Sequence, residues 1–437
     1  MSSELLLELL AAQTAPQATF ETLRRYATAT QPLAFLTAEQ RKVLDNRLAR
    51  MAVNIPALAV SSLVERLRVS GYSDARVWEL FTASDLDQLA PLAMTDALTY
   101  GTGFVLVWAK DGRPVASVES PFECAVLSSP ADRTVEAGVK RFDTKTTSEA
   151  YVYLPDRVEH WRANRPRAAA TNFVLVDVAE HGLETVPLVP VDNGRSEITD
   201  LVPLVDALAK VVLDMVIASH AAGFGRRWVT GIDLVERPRL DAEGNPVLDG
   251  DGEPVIDTVS PFDENATLPW AIASEPDSEF GSFAEPTLAG FETAVRVLVS
   301  QIMAVSALPS HYLGILTTQP TSADALRASE ASLTARAEAR QLSFGRAFEQ
   351  VGRLLLAVDR GRSAAGIPLR VQWADAATRS VAQEADAVVK LYQAGLLPAT
   401  FALAKLGYTA DEINVIRAAK RAEVLDGQGF GLTDDNR

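Results

Sequence analysis

Cysteine is almost absent: Cys124 stands alone in 437 residues, which excludes an intrachain disulfide framework and any cysteine-rich zinc site. It reads as a small apolar residue in a strand. No run of about 18 apolar residues is present, so no membrane-spanning helix is expected. The first ten residues carry Glu4 and Glu8 where a secretory signal carries positive charge, which points to synthesis in a cytoplasm. The phosphate-binding pattern Gly-x-x-x-x-Gly-Lys-Ser/Thr is missing, as are the Gly-x-Ser-x-Gly elbow and the His-Glu-x-x-His zinc helix. Gly101-Thr-Gly103 and Gly223-Phe-Gly225 are isolated glycine pairs and read as turns. The four histidines, His160, His181, His220 and His311, fall in different expected elements and read as packing or surface residues. No catalytic residue, metal site or cofactor is expected.

What is present is a chain that is 48% hydrophobic, long enough for a sizeable core and for two or three domains. Its first hundred residues read as helices over Glu4–Ala12, Thr19–Ala29, Thr37–Met51, around Ala57–Arg68, and Ser84–Tyr100. Thr37 with Gln40 has capping-box spacing. The period then shortens to that of strands: Phe104–Trp108, Pro114–Glu119, Ala125–Leu127, Val135–Phe142, Ala150–Leu154, Arg157–Trp161 and Asn172–Val178. Asp111-Gly112 is a hairpin turn signal. These runs predict a mixed antiparallel sheet packed on the N-terminal helices. Helical spacing returns at Leu201, Leu204, Leu208, Val211 and Met215, with Thr199 or Asp200 as cap and Pro203 in the first turn.

Charge is unevenly spread. The formal net charge is −16, and Asp233–Glu285 alone holds fourteen acids against Arg237 and Arg239, a net of −12. Arg327–Arg379 reverses the sign, with nine arginines against five acids; a solvated helix face accounts for that equally well. Within the acidic stretch, Asp241-Ala-Glu-Gly-Asn-Pro-Val-Leu-Asp249 is echoed by Asp249-Gly-Asp-Gly-Glu-Pro-Val-Ile-Asp257. Each copy joins a glycine turn to a Pro-Val strand start, so the segment reads as a projecting, charge-rich hairpin. Asp249, Asp251 and Glu253 alternate as calcium ligands do, but Pro254 occupies the place where a calcium loop needs glycine.

The most informative stretch is Val305–Val358. A helix with Leu288, Phe291, Val295, Leu298, Val299 and Ile302 at helical spacing, capped by Thr287, leads into a loop punctuated by Pro309, Gly314 and Pro320. Beyond it, Leu326, Leu333, Ala337, Phe344, Phe348, Val351 and Leu355 repeat over nearly forty residues. At about 1.5 Å per residue this second helix would exceed 50 Å, with Gly345 and Gly352 as places where it could kink. Val381–Leu425 reads as a small helical cluster broken at Gly395, Pro398 and Gly407, and Gly427–Arg437 as a frayed tail.

The loop sequence, Ser306-Ala-Leu-Pro-Ser-His-Tyr-Leu-Gly314 with Pro320-Thr-Ser-Ala-Asp-Ala-Leu-Arg327 and Ala337-Glu-Ala-Arg-Gln-Leu-Ser-Phe-Gly345, resembles the core of bacteriophage portal proteins. Thr185-Val-Pro-Leu-Val-Pro-Val191, Gly194-Arg-Ser-Glu-Ile198, Arg226-Arg-Trp-Val-Thr-Gly231, Gln383-Glu-Ala-Asp-Ala387 and Ala394-Gly-Leu-Leu-Pro398 are similar to the same family, in the siphophage group infecting actinobacteria. The resemblance implies an α+β, mainly helical portal fold with wing, stem, clip and crown. Residues 1–195 would form an N-terminal wing of helices and sheet, 196–222 a stem helix, and 223–286 an acidic clip. Residues 287–307 would form a second stem helix, 308–321 a tunnel loop, 322–380 a long helix and wing return, and 381–437 a helical crown and tail.

The resemblance further implies a homo-oligomeric ring, a dodecamer, at one capsid vertex of a virion made in a host bacterium, acting as a conduit for double-stranded DNA during packaging and ejection. Terminase, a head–tail adaptor, and major capsid and scaffold proteins are the implied partners. Ser310, His311, Tyr312, Leu313, Gly314, Thr318 and Gln319 become tunnel-loop residues facing DNA. Arg237, Arg239, Asp241, Glu243, Asp249, Asp251 and Glu253 become partner-facing residues of the clip. The clip's negative charge would repel phosphate within a Debye length of about 8 Å and so let DNA slide rather than bind. A non-viral helical scaffold or adaptor without catalytic activity fits the same helices and missing motifs.

Overall fold

The computed structural model of the protein describes residues 2–32, 54–223, 227–231, 235–239, 245–249, 252–259, 279–282, 288–314, 323–377, 381–408 and 410–429. The helix expected over Thr37–Met51 therefore lies outside the described residues, as does Thr287. Helices Ser2–Thr14 (α1) and Gln17–Ala27 (α2) open the chain. Ile55–Val64 (α3) follows, ending four residues short of the expected Arg68, because residues 65–68 turn into strand Val69–Tyr72 (β1). Ala75–Ala83 (α4) is an additional helix, capped by the Asp74 carboxylate, which accepts a hydrogen bond from the Arg76 amide. Leu86–Tyr100 (α5) completes the helical start.

The turn from α5 into the sheet needs both glycines of Gly101-Thr-Gly103. Gly101 ends the helix at φ +96°, and a Cβ on Gly103 would lie 2.2 Å from the Ala93 carbonyl oxygen. Strands Thr102–Lys110 (β2) and Arg113–Glu119 (β3) are joined through Asp111-Gly112, both at positive φ, as the sequence predicts. Strands Cys124–Ser128 (β4), Val135–Asp143 (β5), Ser148–Tyr153 (β6), Arg157–Ala163 (β7) and Val174–Glu180 (β8) form an antiparallel meander in sequence order. Leu188–Asp192 (β9) pairs with β2 on the side away from β3, a strand that Pro187 and Pro190 hide from pattern reading.

Two cores result. Leu6, Leu9 and Leu10 of α1 pack on Val139, Val152 and Trp161 of the five-stranded sheet. The main core joins α3, α4, α5, the β2 sheet and the long helix Ala323–Arg360 (α8), through Phe81, Met94, Leu98, Phe344, Phe348 and Leu355. Cys124 is buried in its strand, where burial pushes its thiol pKa up. Strand Val371–Trp373 (β14) pairs antiparallel with β1, about three hundred residues away in sequence.

Helix α8 runs unbroken over 38 residues through Gly345 and Gly352. Gly352 serves close packing: a Cβ there would meet Leu369 Cδ2 at 2.6 Å, Val77 Cγ1 at 2.9 Å and Tyr72 Cε1 at 3.0 Å. The C-terminal cluster breaks where expected, into Val381–Gln393 (α9), Ala399–Lys405 (α10) and Ala410–Gly429 (α11). The last of these carries helix into the segment expected to fray. No helix among the described residues is long and apolar enough to cross a membrane.

Candidate functional site

Helices Val202–Gly223 (α6) and Ala289–Ser306 (α7) pack on each other and carry opposite gradients of burial. Near its start α6 buries Val205, Leu208 and Leu213, whereas Ile217 near its end is exposed. In α7 the buried residues, Val299, Ile302 and Ser306, come late, while Phe291 and Val295 are half-buried and Val297 and Val305 are exposed. Of the helically spaced apolar residues of α6, Val211 and Met215 are half-buried, as is Leu204, which packs against the main core. The pair is thus rooted in the body at one end and bare at the other.

At the bare end the chain forms nested ribbons. Arg227–Thr230 (β10) pairs with Glu279–Ser282 (β13), and inside them Val235–Pro238 (β11) pairs with Ile256–Val259 (β12). The two copies of the acidic echo meet each other, since the Val255 amide donates to the carbonyl of its counterpart Val247 at 2.8 Å. Of the residues expected to face partners here, Arg239 is held by Asp257 at 2.7 Å, and that contact keeps the Asp257 carboxyl below its ordinary range. Asp249 Oδ1 accepts from the Glu253 amide at 3.0 Å, closing the turn around Gly252. Arg237 lies in β11; Asp241, Glu243 and Asp251 lie outside the described residues.

At the rooted end, α7 stops at Ala307, which adopts a left-handed conformation, and Arg336 of α8 donates to the terminal carbonyls of Val305 and Ser306 at 3.1 and 3.2 Å. Glu197 receives Arg336 at 3.4 Å and Arg340 Nε at 3.2 Å, joining the turn before α6 to the same helix. The chain then makes a single 3-10 turn, Ser310–Leu313, closed by Gly314 at φ +69°. Ser310 and Gly314 are exposed, whereas Leu313 and Tyr312 pack against the main core.

A buried ion pair fixes this turn. Arg66 lies 3.1 Å from Glu330, with side chains 9% and 7% exposed. Arg66 also donates to the Tyr312 hydroxyl at 3.3 Å and to the Ala376 carbonyl at 2.8 Å, and His311 Nε2 approaches Glu330 at 3.5 Å. Burial works to lower the Arg66 pKa, but the hydrogen bonds to Tyr312 and Glu330 outweigh it and the pKa rises. His311 and Tyr312 are therefore anchors of the loop base in a single chain. Arg66 and Glu330, the residues that hold them, carried no local sequence signal. Thr318 and Gln319 lie outside the described residues.

The arginines of the Arg327–Arg379 stretch are largely committed within the chain: besides Arg336 and Arg340, Arg353 and Arg370 meet Glu349, and Arg360 meets Asp74. Two clefts flank the β6–β7 turn, of about 490 and 640 Å³. Both are lined mostly by apolar side chains, and Glu184 in the larger accepts a hydrogen bond from Ser363 at 2.6 Å. No group of three or more potential metal ligands occurs among the described residues.

Residues 37–424 match the family described as "Phage portal protein, SPP1 Gp6-like". The chain is 29% identical over 412 residues to the portal protein of Mycobacterium phage L5, covering 86% of this chain and 80% of that protein. It is 28% identical over 411 residues to the portal protein of Mycobacterium phage D29, with the same coverage. Among solved structures it is similar to a chain of the virion of a native gene transfer agent particle, at TM-score 0.43 and 13% identity, covering 89% of this chain and 99% of that one. A chain from the neck of that particle, computed with C12 symmetry, gives TM-score 0.42 and 14% identity, with 90% and 99% covered.

Proposed function

This chain belongs to the phage portal family of the SPP1 Gp6-like type, and from that premise we propose how its segments serve a portal. The family role is structural, at the junction of head and tail in the virion. In our reading the protein assembles with copies of itself into a ring, a dodecamer, through which double-stranded DNA enters and leaves the capsid. Residues 1–195 and the long helix α8 form the wing, and α6 and α7 the stem. The nested ribbons of 223–286 form the clip, residues 308–321 the tunnel loop, and α9 to α11 the crown.

The observation that carries this reading is the helix pair itself. A pair of helices that leaves apolar residues such as Ile217 and Val297 exposed, with a strongly acidic ribbon beyond them, has little reason to stand clear of its own core. Neighbouring copies placed side by side would cover the bare stretch and line up the acidic ribbons. The ribbons then face terminase or the head–tail adaptor, with Glu253 and Asp249 exposed for such contacts. Their charge leaves no phosphate-neutralising surface to hold passing DNA. No catalytic step is assigned to the chain, and its synthesis is placed in the host cytoplasm.

The loop assignment has a direct test in phage particles. Deleting residues 315–318 leaves the anchors at His311 and Tyr312 in place. Rings are expected to form while the DNA content per particle falls; normal DNA content would count against a role for this loop in translocation.

A further inference from the structure

The chain is acidic in sum, yet one end of its five-stranded sheet has the opposite sign. The β5–β6 turn and the loop after β7 meet there. The Ser148 hydroxyl joins them: it donates to Asp143, accepts from the Ala168 amide at 3.1 Å and lies 3.1 Å from the Arg165 carbonyl. The turn is closed on itself, since the Thr144 amide donates to the Thr147 carbonyl at 2.8 Å and the Thr144 hydroxyl accepts from the Thr147 amide at 2.9 Å. Lys145 stands on this turn, and Arg165 and Arg167 on the loop. All three are exposed, and none has a charged partner among the described residues. Arg141 and Arg162 flank them, Arg141 donating to the Ala168 carbonyl at 2.7 Å and Arg162 lying 2.9 Å from Glu149. Asp143 is held by Ser148, and Glu149 is buried between Arg162 and His160. Counting Glu123, half-buried in the polar cleft beside Arg141 and Arg167, five bases stand here against three acids, in a chain whose net charge is −16.

Free basic groups interleaved with short hydroxyl and amide side chains suit phosphate, which takes ionic contacts from Lys and Arg and neutral hydrogen bonds from Thr and Asn. Thr144, Thr146 and Asn164 are exposed between these bases. Residues 144–147 and 164–167 hold no large apolar or aromatic side chain of the kind that anchors a protein partner. The patch is also separate from the acidic ribbons, being built on β5 to β7, whereas the ribbons lie beyond α6 and α7. We propose that this end of the sheet is a phosphate-binding surface for double-stranded DNA, with Lys145, Arg165 and Arg167 as its contacts. The chain then holds DNA at the sheet and repels it at the ribbons. This rests on the reading above that the protein meets DNA. In a ring the patch is repeated by every copy, and simultaneous contacts add avidity.

Fluorescence anisotropy of a labelled 20-base-pair duplex against the full-length protein tests it, with folding read by circular dichroism and assembly by native mass spectrometry. Three phosphate contacts give a slope of log affinity on log salt of about −2.7 for one copy, so affinity should fall about fortyfold between 50 and 200 mM salt. The triple variant Lys145→Glu, Arg165→Glu, Arg167→Glu is expected to fold and assemble as wild type and to bind at least tenfold more weakly, with a flatter slope. Lys110→Glu with Arg113→Glu, exposed on the β2–β3 hairpin of the other sheet, is expected to leave binding unchanged. A triple variant that binds like wild type, or a hairpin variant that loses as much, would overturn the surface. Polyglutamate that displaces the duplex at equal charge concentration would overturn DNA as the partner and assign the patch to an acidic protein. Rings that never bind the duplex would overturn this surface and leave the ring. Monomers that bind it through these three residues would overturn the ring and leave the surface.

Discussion

Replacing Arg66 by methionine keeps the length and apolar character of the side chain but strips Glu330 of its partner at 3.1 Å. Removing one member of a buried pair leaves an uncompensated charge and costs about 3–5 kcal/mol. The hydrogen bonds to Ala376 and Tyr312 go with it, each worth about 1 kcal/mol. A net loss of at least about 3 kcal/mol is therefore expected. The loss falls on the loop base, where α3, α8 and the Ser310–Leu313 turn meet. Hydrogen exchange there should therefore accelerate by roughly a hundredfold, at about 1.4 kcal/mol per decade. Mass spectrometry of peptides covering 308–314 and 326–334 reads this directly. Replacing both partners, Arg66→Met with Glu330→Leu, should recover most of the protection, since an apolar pair needs no solvation. Exchange in Arg66→Met within threefold of wild type, or a double variant as labile as the single, would refute the view that this pair holds the turn.

Asp96 on α5 is lifted by burial to a pKa of about 6. A carboxyl raised on folding contributes stability at low pH that is lost as pH climbs through the folded value. Asp96→Asn should thus raise stability at pH 8 by up to ~3 kcal/mol and make no difference below about pH 4; a gain independent of pH in urea titrations would contradict the assignment. Gly352→Ala should destabilise by about 1–2 kcal/mol although alanine favours helix, because Leu369, Val77 and Tyr72 close on the new methyl from three directions. Thermal unfolding at higher temperature than wild type would show that those side chains yield freely.

The parts of the fold legible in the sequence were those with a local period. β2 to β8 announced themselves by alternation and by Asp111-Gly112, and α8 by a stripe running from Leu333 to Leu355. The breaks at Gly395, Pro398 and Gly407 were equally local. What escaped was settled by partners distant in sequence. β1 is a strand because Val371–Trp373 lies beside it, and Gly352 is a glycine because three other elements crowd it. α4 had a readable start in Asp74, but its short apolar face is completed by packing on α8, α5 and β1. At the candidate site, the sequence marked the loop through Pro309 and Gly314. Its fastening lay out of view, because Arg66 and Glu330 are ordinary polar residues in separate helical patterns until folding buries them together.

The central claim is that copies of this chain close into a ring around a channel. Negative-stain electron microscopy of the purified, overexpressed protein, with end-on views averaged without imposed symmetry, tests it most directly. The account predicts rings with a central opening about as wide as duplex DNA, and their symmetry counts the subunits. Monomers or small dimers only, persisting at high concentration and with scaffold protein co-expressed, would contradict it.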